Sequence, residues 1–195
     1  MTHEALLARF AHIRTWKRDG FEPPHKTLVL LLALANARRG IRWLSFRTID
    51  EPLKRLIERF GDRKHFYFPE EPFWRLKNDK PRFWDVMNVP LSFQQDADPP
   101  AEMELREWDA RAGFTDDVYS VLQRNPEWVL DLAEAIYSAH SIGGSREEVF
   151  RAVGLEPGEA LPVRAESTCP LSERRPAVAE PTRIRPVRTA AGSLR

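Results

Sequence analysis

Any chemistry in this chain must come from five histidines, one cysteine and a large, nearly balanced set of charges. The histidines are dispersed. His65, with Asp62 and Glu70, comes nearest to a metal-ligand group, but no second histidine stands at ligand spacing, so no metal is expected. Cys169 lies in a polar stretch and has no partner for a disulfide or a multi-cysteine zinc site. His-x-x-x-His, Gly-x-Ser-x-Gly and phosphate-loop patterns are all missing, leaving no catalytic set and no cofactor motif to assign. What remains are cations placed where they can meet an anion. His25 and Lys26 open an apolar run, and a helix start presents free N–H groups that suit phosphate oxygens. Arg111 precedes a small-residue turn. The plainer readings of these positions are a polar first turn and a surface arginine. The chemistry on offer is charge-assisted contact rather than bond breaking.

The elements that must position these groups are mostly helices. Thr2 caps a first helix in which Ala5, Leu6, Ala8, Phe10, Ile13 and Trp16 recur at spacings of mostly three or four. The stretch KRDGFEPP from Lys17 to Pro24 breaks it. A second helix is predicted from about His25 to Arg38, with Gly40 as its stop. It is apolar nearly all round (Leu28, Val29, Leu30, Leu31, Leu32, Leu34), the mark of a central buried helix. Ile41 to Phe46 reads as a short strand, and Asp50 to Phe60 as a third helix with Pro52 in its first turn.

Residues 65 to 86 are aromatic and punctuated by proline. Phe73 to Leu76 and Phe83 to Val86 read as two strands joined at Asn78-Asp79-Lys80-Pro81, a turn sequence. Phe73, Trp74, Phe83 and Trp84 read there as packing residues rather than base-stacking ones. A polar loop (Gln94 to Pro100), a short helix (Glu102 to Asp109) and a turn (Arg111 to Phe114) follow. Thr115 caps a helix to about Leu122, and Asn125-Pro126 opens another that ends near His140, read as a cap. Ser145 and Glu148 form the capping box of a last helix stopping at Gly154.

From Glu156 to Arg195 the pattern dissolves: six of the sixteen prolines, no aromatic residue, and seven arginines against five glutamates. Such a stretch cannot bury enough surface to offset ordering entropy and is expected to be a disordered tail. The full chain carries a net charge of +1, which excludes indiscriminate coating of nucleic acid but permits one basic face. The N-terminus lacks the apolar run of an export signal, and Leu28 to Ala35 is too short to span a bilayer, so a cytoplasmic setting is expected.

Three blocks together resemble the sulfur-binding domain found at the N-terminus of HNH endonucleases that restrict phosphorothioate-modified DNA. They are Pro24-His25-Lys26 running into the leucine-rich helix; Pro69-Glu70-Glu71-Pro72-Phe73-Trp74-Arg75-Leu76 followed by Asn78-Asp79 and Trp84; and Arg111-Ala112-Gly113-Phe114-Thr115 leading to two helices and His140. The resemblance implies binding of duplex DNA at a phosphate in which sulfur replaces one non-bridging oxygen. Sulfur is larger, softer and a poorer hydrogen-bond acceptor, so an apolar cradle favours it while basic groups hold the charge. Implied DNA-binding positions are His25, Lys26, Pro72, Phe73, Arg75 and Arg111. Three departures stand out: Glu71 occupies a position where the family usually has an aromatic residue, Lys80-Pro81 replaces a glycine expected after Asp79, and Ala112 stands where a second glycine is common. A carboxylate there repels phosphate unless it turns away or pairs with a base such as Arg75.

The tail from Glu156 contains no histidine, so no HNH module is expected in this chain; a separate nuclease subunit would supply cleavage. The sequence therefore predicts an α+β fold: one mainly helical domain over residues 1–155 with a small β-hairpin, then a disordered tail over 156–195. It also predicts a DNA-binding module without catalytic residues, metal or cofactor. The first competing class is a protein-interaction module that kept the fold and lost DNA binding; the second is an enzyme with an unrecognised site, which turnover dependent on a divalent metal would reveal.

Overall fold

A computed structural model describes residues 1–11, 13, 23–61, 68–96 and 98–156. The tail, the 17–22 breaker, and His65 with Asp62 lie outside the described residues. In chain order the elements are α1 (His3–Ala11), α2 (His25–Arg38), β1 (Trp43–Ser45), α3 (Phe46–Phe60) and α4 (Glu70–Arg75), followed by a 3-10 turn (Leu76–Asn78). Then come β2 (Trp84–Met87), α5 (Leu91–Gln94), α6 (Glu102–Glu107), β3 (Arg111–Phe114), α7 (Asp116–Arg124), α8 (Trp128–Ala139) and α9 (Arg146–Val153).

The all-apolar α2 is the axis of the core. Leu28, Leu30, Leu31 and Leu34 have no exposed surface, and α3, α4, α7, α8 and α9 pack around the helix. Local signals set several helix ends. Thr2 Oγ1 accepts the Ala5 N–H at 3.3 Å. Ser145 and Glu148 close their reciprocal capping box, and Gly154 ends α9 with φ of +80°. Thr115 stands at the α7 N-cap, but its hydroxyl donates to Asp117 instead of accepting from the helix.

The mainly helical α+β expectation holds, but the small β-hairpin is replaced by a three-stranded antiparallel sheet in the order β1-β3-β2. Phe73 to Leu76 is not a strand. Pro72 lies in the first turn of α4, where a missing N–H leaves nothing unsatisfied, and Glu70 and Glu71 suit the positive end of the helix. The aromatic residues that suggested β structure are instead drawn into the core: Phe73 meets Phe46 edge-on at 5.0 Å, and the Trp84 indole N–H donates to the Phe73 carbonyl at 3.0 Å.

Arg111 to Phe114 is likewise a strand, not a turn, and it is the middle one. Ser45 and Met87 flank Arg111, while Trp43 and Asp85 flank Gly113. Gly113 marks a close approach rather than a bend: a β-carbon there would lie 2.2 Å from the Arg42 carbonyl oxygen. Helix α3 begins at Phe46, four residues earlier than the sequence suggests. Pro52 is therefore interior, on the exposed side, where one backbone bond is forgone.

Candidate nucleic-acid interface

The first turn of α2 brings Lys26 against the loop that leaves the 3-10 turn. Its ammonium donates to both carboxylate oxygens of Asp79, at 2.8 and 2.9 Å. Only 16% of the Lys26 side chain and 5% of Asp79 is exposed. Lys26 is thus not the open cation expected at the exposed start of a buried helix. It is half of a nearly buried ion pair spanning 53 residues of sequence. Nothing in local spacing relates positions 26 and 79, so the role of Asp79 was invisible in the sequence although the residue belongs to the second motif block. His25, beside Lys26, is half-buried.

Helix α4 packs on α2 and carries Pro72, Phe73 and Arg75. Pro72 is buried, and Phe73 has no exposed surface at all. As placed, Phe73 shapes the site from beneath and offers no face to a ligand. The Trp74 indole N–H donates to the Asp96 carbonyl at 3.1 Å, and the Lys77 ammonium lies 3.5 Å from the Trp74 ring centroid while donating to the Gln94 carbonyl. Burial pulls the Lys77 ammonium below the usual lysine range.

Glu71, the departure from the family pattern, is held by Arg75 one turn later, and Arg75 Nη2 also donates to Asp98 at 3.0 Å. The hydrogen bond that Arg75 donates to Glu71 is the main reason the guanidinium is raised above its ordinary range. Two carboxylates therefore share one arginine on the wall of an open groove of about 430 Å³, whose apolar side is Phe68, Pro99 and Pro100. Burial pushes the neighbouring Glu70 carboxyl up, and Glu102 and Glu71 add to that.

Arg111 sits apart, exposed at the start of β3. Its Nη2 and Nε donate to Asp109 at 2.9 and 3.2 Å, and Asp109 also accepts from the Ser45 hydroxyl at 2.7 Å. Those hydrogen bonds, Ser45 first, hold the Asp109 carboxyl below the usual range. The backbone of Asp109 is left-handed, with φ of +49°, and Asn88, also left-handed, donates its amide to the Asp109 carbonyl at 3.2 Å. The fold thus packs α4, which carries Pro72, Phe73 and Arg75, against α2, whose first turn carries Lys26. Arg111 is held on the sheet, in an ion pair that shares no residue with that of Lys26.

Among the described residues, no group of three or more His, Cys, Asp or Glu is arranged to hold a metal, and no helix is long and apolar enough to cross a membrane. His140 stands at the C-cap of α8.

Residues 3–158 match the family of ScoMcrA-like DNA sulfur-binding domains. The chain belongs to that family. All three motif blocks fall inside the matched span, and a sulfur-binding domain of this kind is a DNA-binding module. Solved sulfur-binding domains share the fold. That of SprMcrA complexed with phosphorothioated DNA is 21% identical, with a TM-score of 0.61 over 80% of this chain and 95% of that one. That of ScoMcrA, also complexed with phosphorothioated DNA, is 21% identical, with a TM-score of 0.60 over 76% and 94%. The type IV phosphorothioation-dependent restriction endonuclease ScoMcrA matches at 21% identity and a TM-score of 0.61; 28% of that longer chain is covered. No curated protein matches the chain.

Proposed function

We propose that this sulfur-binding domain recognises phosphorothioate-modified duplex DNA in the cytoplasm, as the reading component of a restriction or defence system. The match of residues 3–158 to the DNA sulfur-binding family carries this reading. The cradle would be formed by the Pro72 end of α4 with His25 and Lys26 at the start of α2. Arg75 stands on its rim, and Arg111 supplies a second, independent phosphate contact from the sheet. Phe73 supports this surface from the core. Cleavage would come from a separate nuclease subunit, and the domain itself would leave modified and unmodified duplexes intact with Mg²⁺ or Mn²⁺.

A gel-shift comparison of one duplex with and without a single phosphorothioate tests the reading: the modified duplex should be retained at lower protein concentration. Equal retention of both would remove sulfur selectivity. Retention of neither at low salt would leave the interaction-module reading in its place. One observation favours that second reading, since Lys26 and Arg75 are already engaged by carboxylates and must share or exchange them to meet phosphate. Salt separates the two, because phosphate contacts release counterions and protein interfaces largely do not.

A further inference from the structure

Helix α2 leaves one leucine incompletely covered. Leu28, Leu30, Leu31 and Leu34 are fully buried, whereas Leu32 is only partly so. It forms part of the floor of a groove of about 340 Å³ bounded by α2, α3 and α9. On α3, Pro52, Arg55, Leu56 and Arg59 line this groove at i, i+3, i+4 and i+7, a single stripe two turns long, and Ala152 of α9 faces them. The floor is apolar and the rim is cationic. Arg55 has no ion pair among the described residues. Arg59 lies over the Phe60 ring and reaches Glu148 only at 3.8 Å, so Glu148 offsets part of its charge.

We propose that this groove docks an acidic amphipathic helix of a protein partner. Three helices already form its walls. The stripe from Pro52 to Arg59 is about 10 Å long, which matches two turns of a fourth helix presenting leucine-type anchors at i, i+3 and i+7. Glutamates or aspartates flanking those anchors would meet Arg55 and Arg59. Occupancy is compatible with the DNA reading above. Lys26 and Leu32 are six residues apart, which places them about 120° apart around α2 and about 9 Å apart along it. The partner and the DNA would therefore approach different faces, as expected if the partner acts on the DNA that this domain marks.

The test uses the full chain and a labelled synthetic helical peptide with leucines at i, i+3 and i+7 flanked by glutamates. Binding is read by fluorescence anisotropy, beside the DNA gel shift. The parent should bind the peptide. The exposed double variant Arg55→Glu/Arg59→Glu should bind it roughly tenfold or more weakly, since like charges then face each other. The variant's circular dichroism and DNA retention should match the parent's. Equal peptide binding by parent and variant, or no binding up to about 1 mM, overturns the proposal. So does a fall in DNA affinity in the variant, which would assign the groove to nucleic acid. Concentration-dependent dimerisation abolished by the variant would assign it to a second copy and overturn the proposal too. Loss of sulfur selectivity alone would touch only the DNA reading.

Discussion

Two lysine or arginine sites of the candidate interface are each paired with an aspartate, yet the pairs differ in kind. Lys26 and Asp79 meet across 53 residues at low exposure. Arg111 and Asp109 are two residues apart, at 47% and 33% side-chain exposure. A nearly buried pair has exchanged hydration for its partner, so removing one member strands the other. An exposed pair is weak and water can replace either partner, so an incoming phosphate can too. The first pair fixes architecture around the start of α2; the second is a cation held ready in solvent.

Removing the two cations in turn should separate the two roles. Lys26→Ala should destabilise the fold by about 3 kcal/mol in urea denaturation, the low end for a buried pair because Lys26 keeps some exposure. Lys26→Met with Asp79→Leu should recover most of that loss while leaving DNA binding weakened. If Lys26→Ala unfolds like the parent, the pair is not the strut described here.

Arg111→Ala should reverse the balance. Affinity for the modified duplex should fall by about 1–3 kcal/mol, the range for a charge-assisted contact, and the salt slope by about one unit. Stability should change by no more than about 0.5 kcal/mol. Unchanged affinity across a salt titration would take Arg111 out of the interface.

Glu71→Tyr probes the proposed cradle at α4. It loses an exposed i, i+4 pair worth about 0.3–0.5 kcal/mol, releases Arg75 towards phosphate and adds an apolar face. The affinity ratio of modified to unmodified duplex should rise, and a ratio that falls or stays level would remove Glu71 from the cradle.

The smallest expected effect is at Glu70. Its carboxyl is raised in the folded protein chiefly by burial, so ionisation opposes folding. That penalty is present at neutral pH, where both folded and unfolded carboxyls are ionised, and vanishes below the unfolded pKa. Glu70→Gln should therefore stabilise by no more than about 0.5 kcal/mol at pH 7 and have no effect near pH 3. Thermal melts at the two pH values check it.

Much of the helical frame was legible because its causes are local. The unbroken apolar run of α2, the Ser145–Glu148 capping box and Gly154 each specify an element from residues within a turn or two of one another. The three motif blocks likewise carried the family. Where a long-range partner decides, the sequence was silent or misleading. Phe73 and Trp74 have strand-like character, yet the pull of Phe46 and Trp84 and the first-turn tolerance of Pro72 make that segment a helix. Gly113 looks like a turn residue, and only the nearness of the Arg42 carbonyl shows it to be the thin point of a central strand. Residue types and spacings determined that cations stand at positions 26, 75 and 111. Which carboxylate holds each one was decided by tertiary structure, because Asp79 and Asp98 reach Lys26 and Arg75 only once the intervening chain has folded back.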